Sequence, residues 1–278
     1  MTRDNQVLVD FVANAETVTA LTWSSDGSSL VTGGNDSVFR VWDSRTGSLL
    51  RELAGLTSGI STLTWQPSGT VLLASGFDTF QAWHTVTWTP FTEQLSVSFA
   101  DMAWNSQGSQ VAVASINALI GIIDRDDLNK RPIEFRSLRG HSSIPYSVNW
   151  SPDGTQLVSG GGRDGSVRLW DVASGQQVAV LLQTEEVIQD AVFTENGTAV
   201  VAVTDSGTLY TIDVATGQVS GRIIANAQLW TVAWNPQYEL LALGGLDTSA
   251  LNTNAIQTDV ATATVDPQET AFLQILSP

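Results

Sequence analysis

Val148-Asn149-Trp150-Ser151-Pro152-Asp153-Gly154 decides the reading of this chain. Apolar residues lead to an aromatic anchor, and a Ser-Pro-Asp-Gly turn follows. The phrase recurs as Leu21-Thr22-Trp23-Ser24-Ser25-Asp26-Gly27, Leu63-Thr64-Trp65-Gln66-Pro67-Ser68-Gly69 and Met102-Ala103-Trp104-Asn105-Ser106-Gln107-Gly108. Two later copies are Ala191-Val192-Phe193-Thr194-Glu195-Asn196-Gly197 and Val232-Ala233-Trp234-Asn235-Pro236-Gln237-Tyr238. The anchors Trp23, Trp65, Trp104, Trp150, Phe193 and Trp234 stand 42, 39, 46, 43 and 41 residues apart. A fixed period of this length marks a repeat architecture.

Each repeat continues in the same way. A second strand follows the turn, as in Leu30-Val31-Thr32 and Leu157-Val158-Ser159. A third ends on Trp42-Asp43 or Trp170-Asp171. A Thr-Gly or Ser-Gly turn comes next (Thr46-Gly47, Ser174-Gly175, Thr216-Gly217), then a fourth strand such as Val178–Leu182. Strands such as Val111-Ala112-Val113-Ala114 and Val200-Val201-Ala202-Val203 are apolar on both faces, as sheets packed between neighbours require.

Over about residues 7–254 this pattern resembles the WD-repeat family. The match is fullest in the fourth repeat, where Gly140-His141, the Ser-Pro-Asp-Gly turn and Trp170-Asp171 stand together. The resemblance implies an all-β fold, a single β-propeller domain over 1–278. Six anchors imply six four-stranded blades, with seven as the alternative. It also implies ring closure by an N-terminal strand, Val7–Val12, as the outer strand of the last blade. Residues 255–278 then form an irregular C-terminal strand or tail, and Ala271–Leu276 is apolar enough to be a strand.

Composition narrows the function. Hydrophobic residues are 42% and charged residues 14%, the opposite of a disordered chain. Twenty-eight acidic residues against twelve basic ones give a net charge of −16. Without a basic face, neither a nucleic acid nor an anionic membrane surface is an expected partner. There is no cysteine, hence no disulfide or thiolate metal site. No apolar run reaches the ~20 residues of a membrane helix. A cytoplasmic monomer is the expectation, with a secreted protein or part of a larger chain as alternatives.

In the family, a His, a Ser or Thr, an Asp and a Trp of one blade form a buried hydrogen-bonded tetrad. By position these are His141, Ser159, Asp164 and Trp170. The first repeat keeps Thr32, Asp36 and Trp42, and the second keeps Ser75, Asp78 and Trp83. Although His, Ser and Asp could suggest nucleophilic catalysis, buried polar satisfaction explains them better. Asp124, Asp126, Asp127 and Asn129 form the densest acidic cluster, but Leu128 interrupts it and no glycine fixes a calcium loop. His84, the only other histidine, reads as a loop residue. No metal, cofactor or catalytic set is expected.

The repeat accounts for eight of ten tryptophans and leaves Trp88, placed in an outer strand, and Trp230. In the family, positions six and four residues before each anchor, and the residue before the tight-turn Asp, project toward the face where partners dock. Carried over residue by residue, this gives a partner-binding set of Phe77, Ile144, Tyr146, Arg163, Gln189, Gln228 and Trp230. Aromatics and arginine are enriched at interface hot spots. The expected function is a non-catalytic scaffold that binds a protein or peptide on this face. A glycosidase- or lyase-like propeller enzyme and a regulatory module of a larger protein are the alternatives.

Overall fold

A computed structural model describes residues 17–130, 133–194, 197–225, 227–235, 240–247, 261–264 and 271–276. The fold is all-β, built from propeller-type blades. Six four-stranded antiparallel sheets lie among the described residues, with one short 3-10 turn at Arg125–Asp127. No described helix is long and apolar enough to cross a membrane.

The first sheet runs β1 (Val18–Trp23), β2 (Ser29–Gly34), β3 (Val38–Asp43), β4 (Leu49–Ala54). The second runs β5 (Ile60–Trp65), β6 (Val71–Gly76), β7 (Phe80–His84), β8 (Thr89–Pro90). The third holds β9 (Phe99–Trp104), β10 (Gln110–Ser115), β11 (Leu119–Asp124) and β12 (Arg136–Arg139). The fourth is β13 (Ser147–Trp150), β14 (Gln156–Gly160), β15 (Ser166–Asp171), β16 (Gln177–Gln183). The fifth is β17 (Ile188–Thr194), β18 (Ala199–Thr204), β19 (Thr208–Asp213), β20 (Val219–Ile224).

The sixth sheet departs from chain order. It contains β21 (Ala227–Asn235), β22 (Leu240–Asp247), β23 (Ala261–Thr264) and β24 (Ala271–Leu276), arranged β21-β22-β24-β23. Ala271–Leu276 is therefore its third strand and Ala261–Thr264 its outer strand. The sequence reading puts Val7–Val12 at that outer edge; the structure puts β23 there, and residues 7–12 lie outside the described residues.

The repeat phrase has a physical basis. In its turn, Ser151 Oγ donates to Asp153 at 2.6 Å, and Asp153 accepts the Thr155 amide at 3.0 Å. Ser24, Asp26 and Ser28 repeat this, and those hydrogen bonds hold the Asp26 carboxyl down at about 2. The Asp after the third strand closes the next turn: Asp43, Asp171 and Asp213 accept the amides of Thr46, Ser174 and Thr216 at 2.7–2.8 Å. These are Asx turns, in which the carboxylate replaces a backbone acceptor.

The chain divides into two compact units, one within residues 7–137 and one within 138–278. In the first unit, Phe39 and Val41 pack on Ile60, Leu72 and Trp83, and Leu73 and Phe80 pack on Phe99 and Val113. In the second, Val158 and Leu169 pack on Phe193 and Ala202, and Val201 and Val203 pack on Val232 and Leu243. Second strands such as β6 and β18 are buried throughout, whereas outer strands β4 and β20 are mostly exposed. That is the burial profile of sheets stacked face to face. Trp88, expected in an outer strand, lies instead in the turn before β8 in a left-handed conformation (φ 57°), edge-on to Trp65.

Candidate interaction site

The first strand of each sheet is an edge, so its outward amides need partners from elsewhere. In the 138–278 unit, side chains of neighbouring sheets supply them. Ser147 Oγ of β13 accepts the Ala191 amide of β17 at 3.0 Å. Asp190 of β17 accepts the Val232 amide and the Thr231 hydroxyl of β21, each at 3.0 Å. Asn149 reaches the Ala191 carbonyl at 3.0 Å. Burial pushes the Asp190 carboxyl above its ordinary range; the bonds from Val232, Thr231, Ala191 and Ser147 offset this only in part. These ties set β13, β17 and β21 side by side.

A bulge then re-aims one side chain per strand. The pairing skips Gln189 between Ile188 and Asp190, and Trp230 between Leu229 and Thr231. Both lie four residues before their anchors. In the 7–137 unit, Thr19 and Ser61 occupy the same skipped position. A β-bulge turns its extra residue out of the ladder, so Trp230 is 48% exposed within a strand. The sequence carries no local mark of these bulges; only the shared offset from the anchor hints at them.

The other expected residues gather around one glycine. Gly162 has φ +54°, and a Cβ there would stand 2.5 Å from the Ile144 carbonyl and 3.0 Å from the Tyr146 ring. Only glycine lets Tyr146 lie this close to the β14–β15 turn. Gly162 also accepts the Ile188 amide at 3.0 Å, which fixes the turn to β17 beside Gln189. Ile144, Gln189 and Tyr146 are half-buried, while Arg163 and Gln228 are exposed. The structure thus groups Ile144, Tyr146 and Arg163 about Gly162 and sets Gln189, Gln228 and Trp230 on the adjoining edge strands. Phe77 belongs to the other unit, in the β6–β7 turn, and is 70% exposed.

The tetrad residues lie beneath this surface. Trp170 Nε1 donates to Ser159 Oγ at 2.8 Å, and Ser159 Oγ is 2.7 Å from His141 Nε2. His141 Nδ1 is 2.8 Å from Asp164 Oδ2. Asp164 also accepts the Ser142 and Ser166 amides and the Ser166 hydroxyl. No substrate-facing nucleophile results, because Ser159 is fully buried and bonded on both sides. In the first sheet, Trp42 Nε1 donates to Thr32 at 2.9 Å, and Asp36 pairs with Arg40 at 2.7 Å. In the second, Ser75 donates to the Thr79 carbonyl and accepts the Phe99 amide. Sheet five has a different cluster, absent from the sequence reading: Glu186 accepts from Thr208 and Tyr210 and pairs with Arg222.

Among the described residues, no group of three or more His, Asp or Glu is placed to hold a metal. Asp124 accepts from Gln110 at 2.7 Å, Asp126 pairs with Arg125 at 3.3 Å and Asp127 with Lys130 at 2.5 Å.

A model of the WD domain, G-beta repeat, matches residues 5–43 and 133–171. Two repeats of the chain are thus similar to WD repeats. THO complex subunit 3 of Arabidopsis thaliana is 23% identical to this protein over 86% of the chain and 75% of the relative. Protein FIZZY-RELATED 3 is 28% identical over 61% of the chain and 36% of its own length. Cell division cycle 20.6, cofactor of APC complex, is 27% identical over 60% and 41%. Both are from Arabidopsis thaliana. The chain therefore spans well under half the length of these last two.

Proposed function

We propose that this protein is a non-catalytic scaffold that docks a protein or peptide segment on the rim formed by Ile144, Tyr146, Arg163, Gln189, Gln228 and Trp230. The carrying observation is Trp230, a tryptophan turned into solvent by a bulge in a strand whose amides are tied down on both sides. Leaving a large aromatic in water forgoes ~1.5–3 kcal/mol of burial, and a pre-positioned aromatic loses little entropy on binding. Two of the relatives are named as a subunit and a cofactor of complexes, which supports an assembly role. On this reading the repeats of 1–278 serve as one propeller domain, with a monomer as the working unit.

The test uses a partner captured with the whole chain. Tyr146→Ala with Trp230→Ala is expected to weaken that partner by roughly 2 kcal/mol or more, the size of a hot-spot loss, with the melting curve unchanged. Undiminished binding by a folded double variant places the docking surface elsewhere.

A further inference from the structure

We infer that Asp190 is a pH-sensitive clamp on Trp230: its carboxylate holds the tryptophan in its solvent-facing position, and a proton on that carboxylate releases it. Such a clamp adds a regulator to the rim proposed above, and its effect on a partner rests on that reading.

The two sides of the Trp230 bulge are held by different means. Before Trp230, the backbone is held by close packing. A Cβ on Gly245 would stand 1.9 Å from the Gln228 carbonyl, and one on Gly207 would stand 2.1 Å from the Ala227 carbonyl. Nothing in these contacts takes up a proton. After Trp230, the next two residues bond a single oxygen. Thr231 Oγ1 and the Val232 amide each donate to Asp190 Oδ2 at 3.0 Å. The other oxygen, Oδ1, accepts the Ala191 amide at 2.8 Å, and Ser147 also donates to the carboxylate.

A carboxylate only accepts, so it can take all of these donors; a carboxylic acid must donate at one oxygen. With the proton on Oδ2, Thr231 can reverse its hydroxyl, but the Val232 amide cannot and loses its acceptor. With the proton on Oδ1, Oδ2 becomes a neutral acceptor, and charge-assisted bonds are about twice as strong as neutral ones. Either way the strand leaving the bulge is loosened, and Trp230 with it.

Acidification reaches Asp190 first among these groups. Burial holds its carboxyl above the ordinary 3.8 in spite of its bonds. Strands β13, β14, β15, β18 and β21 pack against β17. Of these only β15 carries titratable side chains, Arg168 and Asp171. Arg168 bonds Ser166 and Gln177, and Asp171 closes its own turn onto Ser174. In the adjoining turns, Glu186 accepts from Thr208 and Tyr210, and Asp205 accepts the Val187 amide. Tyr146 lies against Gly162, while Arg163 and Glu185 are exposed. Release is also distinct from unfolding. A carboxyl raised in the fold takes its proton in the folded chain before the unfolded one, so this step does not itself destabilise the fold.

The experiment is fluorine NMR of the whole chain with fluorotryptophan at all ten positions. Trp230→Phe identifies the Trp230 signal. On acidification that signal is expected to shift in one step with a midpoint above 3.8. Asp190→Asn should abolish the step. Thr231→Val removes one donor to the carboxylate and should move the midpoint up; Thr231 is exposed, so the melting curve should stay in place. A flat Trp230 signal, a step that persists in Asp190→Asn, or an unmoved midpoint in Thr231→Val overturns the clamp. A partner captured with the whole chain should lose roughly tenfold or more in affinity across the step in the wild type but not in Asp190→Asn; equal losses in both overturn the regulation. If Trp230 steps as expected yet Tyr146→Ala with Trp230→Ala binds that partner undiminished, the rim falls and the clamp stands.

Discussion

The hydrogen bonds from Trp170 to Asp164 run in one direction, and they need a neutral histidine. The indole donates to Ser159, Ser159 to His141 Nε2, and His141 Nδ1 to Asp164. A proton on Nε2 would leave the Ser159 hydroxyl without its acceptor. Burial lowers the His141 pKa from 6.5, and Asp164 offsets this only in part. For Asp164, burial alone would raise the carboxyl, but bonds from Ser166 and His141 outweigh it and the pKa is lowered. Both groups give the same sign on acidification. Below pH 6.5 the unfolded chain takes up the His141 proton first, and stability falls. Asp164 adds a further loss as pH drops below 3.8 toward its folded value. The urea midpoint should therefore fall between about pH 7 and about pH 5, and fall less in His141→Gln. Asp164→Ala should cost ~1–3 kcal/mol, the penalty of stranding buried donors; an unchanged melting temperature would exclude this role. The repeat offset singles out these four residues in the sequence. It does not reveal Ser142 and Ser166 around them, because those contacts depend on where the turns fold back.

Among the elements, the turns are the most legible and the edges the least. Turn chemistry is local: Ser, Asp and Gly at fixed offsets write the Ser151–Gly154 and Asp171–Gly175 turns into the sequence. Gly165 follows the same logic, with φ +65° and a Cβ that would stand 1.9 Å from the Thr184 carbonyl. Gly165→Ala should thus destabilise the β14–β15 turn by more than the ~1 kcal/mol of an ordinary surface change, seen as a lower melting temperature. The β23–β24 pair is the opposite case. It carries no anchor phrase, so its placement at the outer side of the sixth sheet has no short-range signal. Trp88 misleads for a related reason. Its neighbours read as a strand, yet its amide closes a turn onto the His84 carbonyl at 2.7 Å and its ring meets Trp65 of another strand.

For the whole molecule, charge makes the broadest prediction. With −16 and only twelve basic residues, the protein should leave duplex DNA unshifted in a gel assay even at about 50 mM salt. Association with a basic partner should slow as ionic strength rises, chiefly through the on-rate. Retention of DNA would reveal a basic face that the sequence total conceals. Fold class follows from period and strand pattern, whereas the exposure of Trp230 and the seat of Tyr146 depend on a bulge and a close-approach glycine that composition does not encode. The ties between edge strands carry one more consequence. Ser147 presents an acceptor to Ala191, and Asp190 presents an anionic acceptor to Thr231 and Val232. The fourth and fifth sheets are thus each matched to their successor and not only to a common template. Exchanging the fourth and fifth sheets as cassettes would put a neutral hydroxyl where two donors converge on a carboxylate. The units of this protein repeat in shape but hold fixed addresses, so a duplicated blade must acquire a new neighbour-specific side chain before it fits.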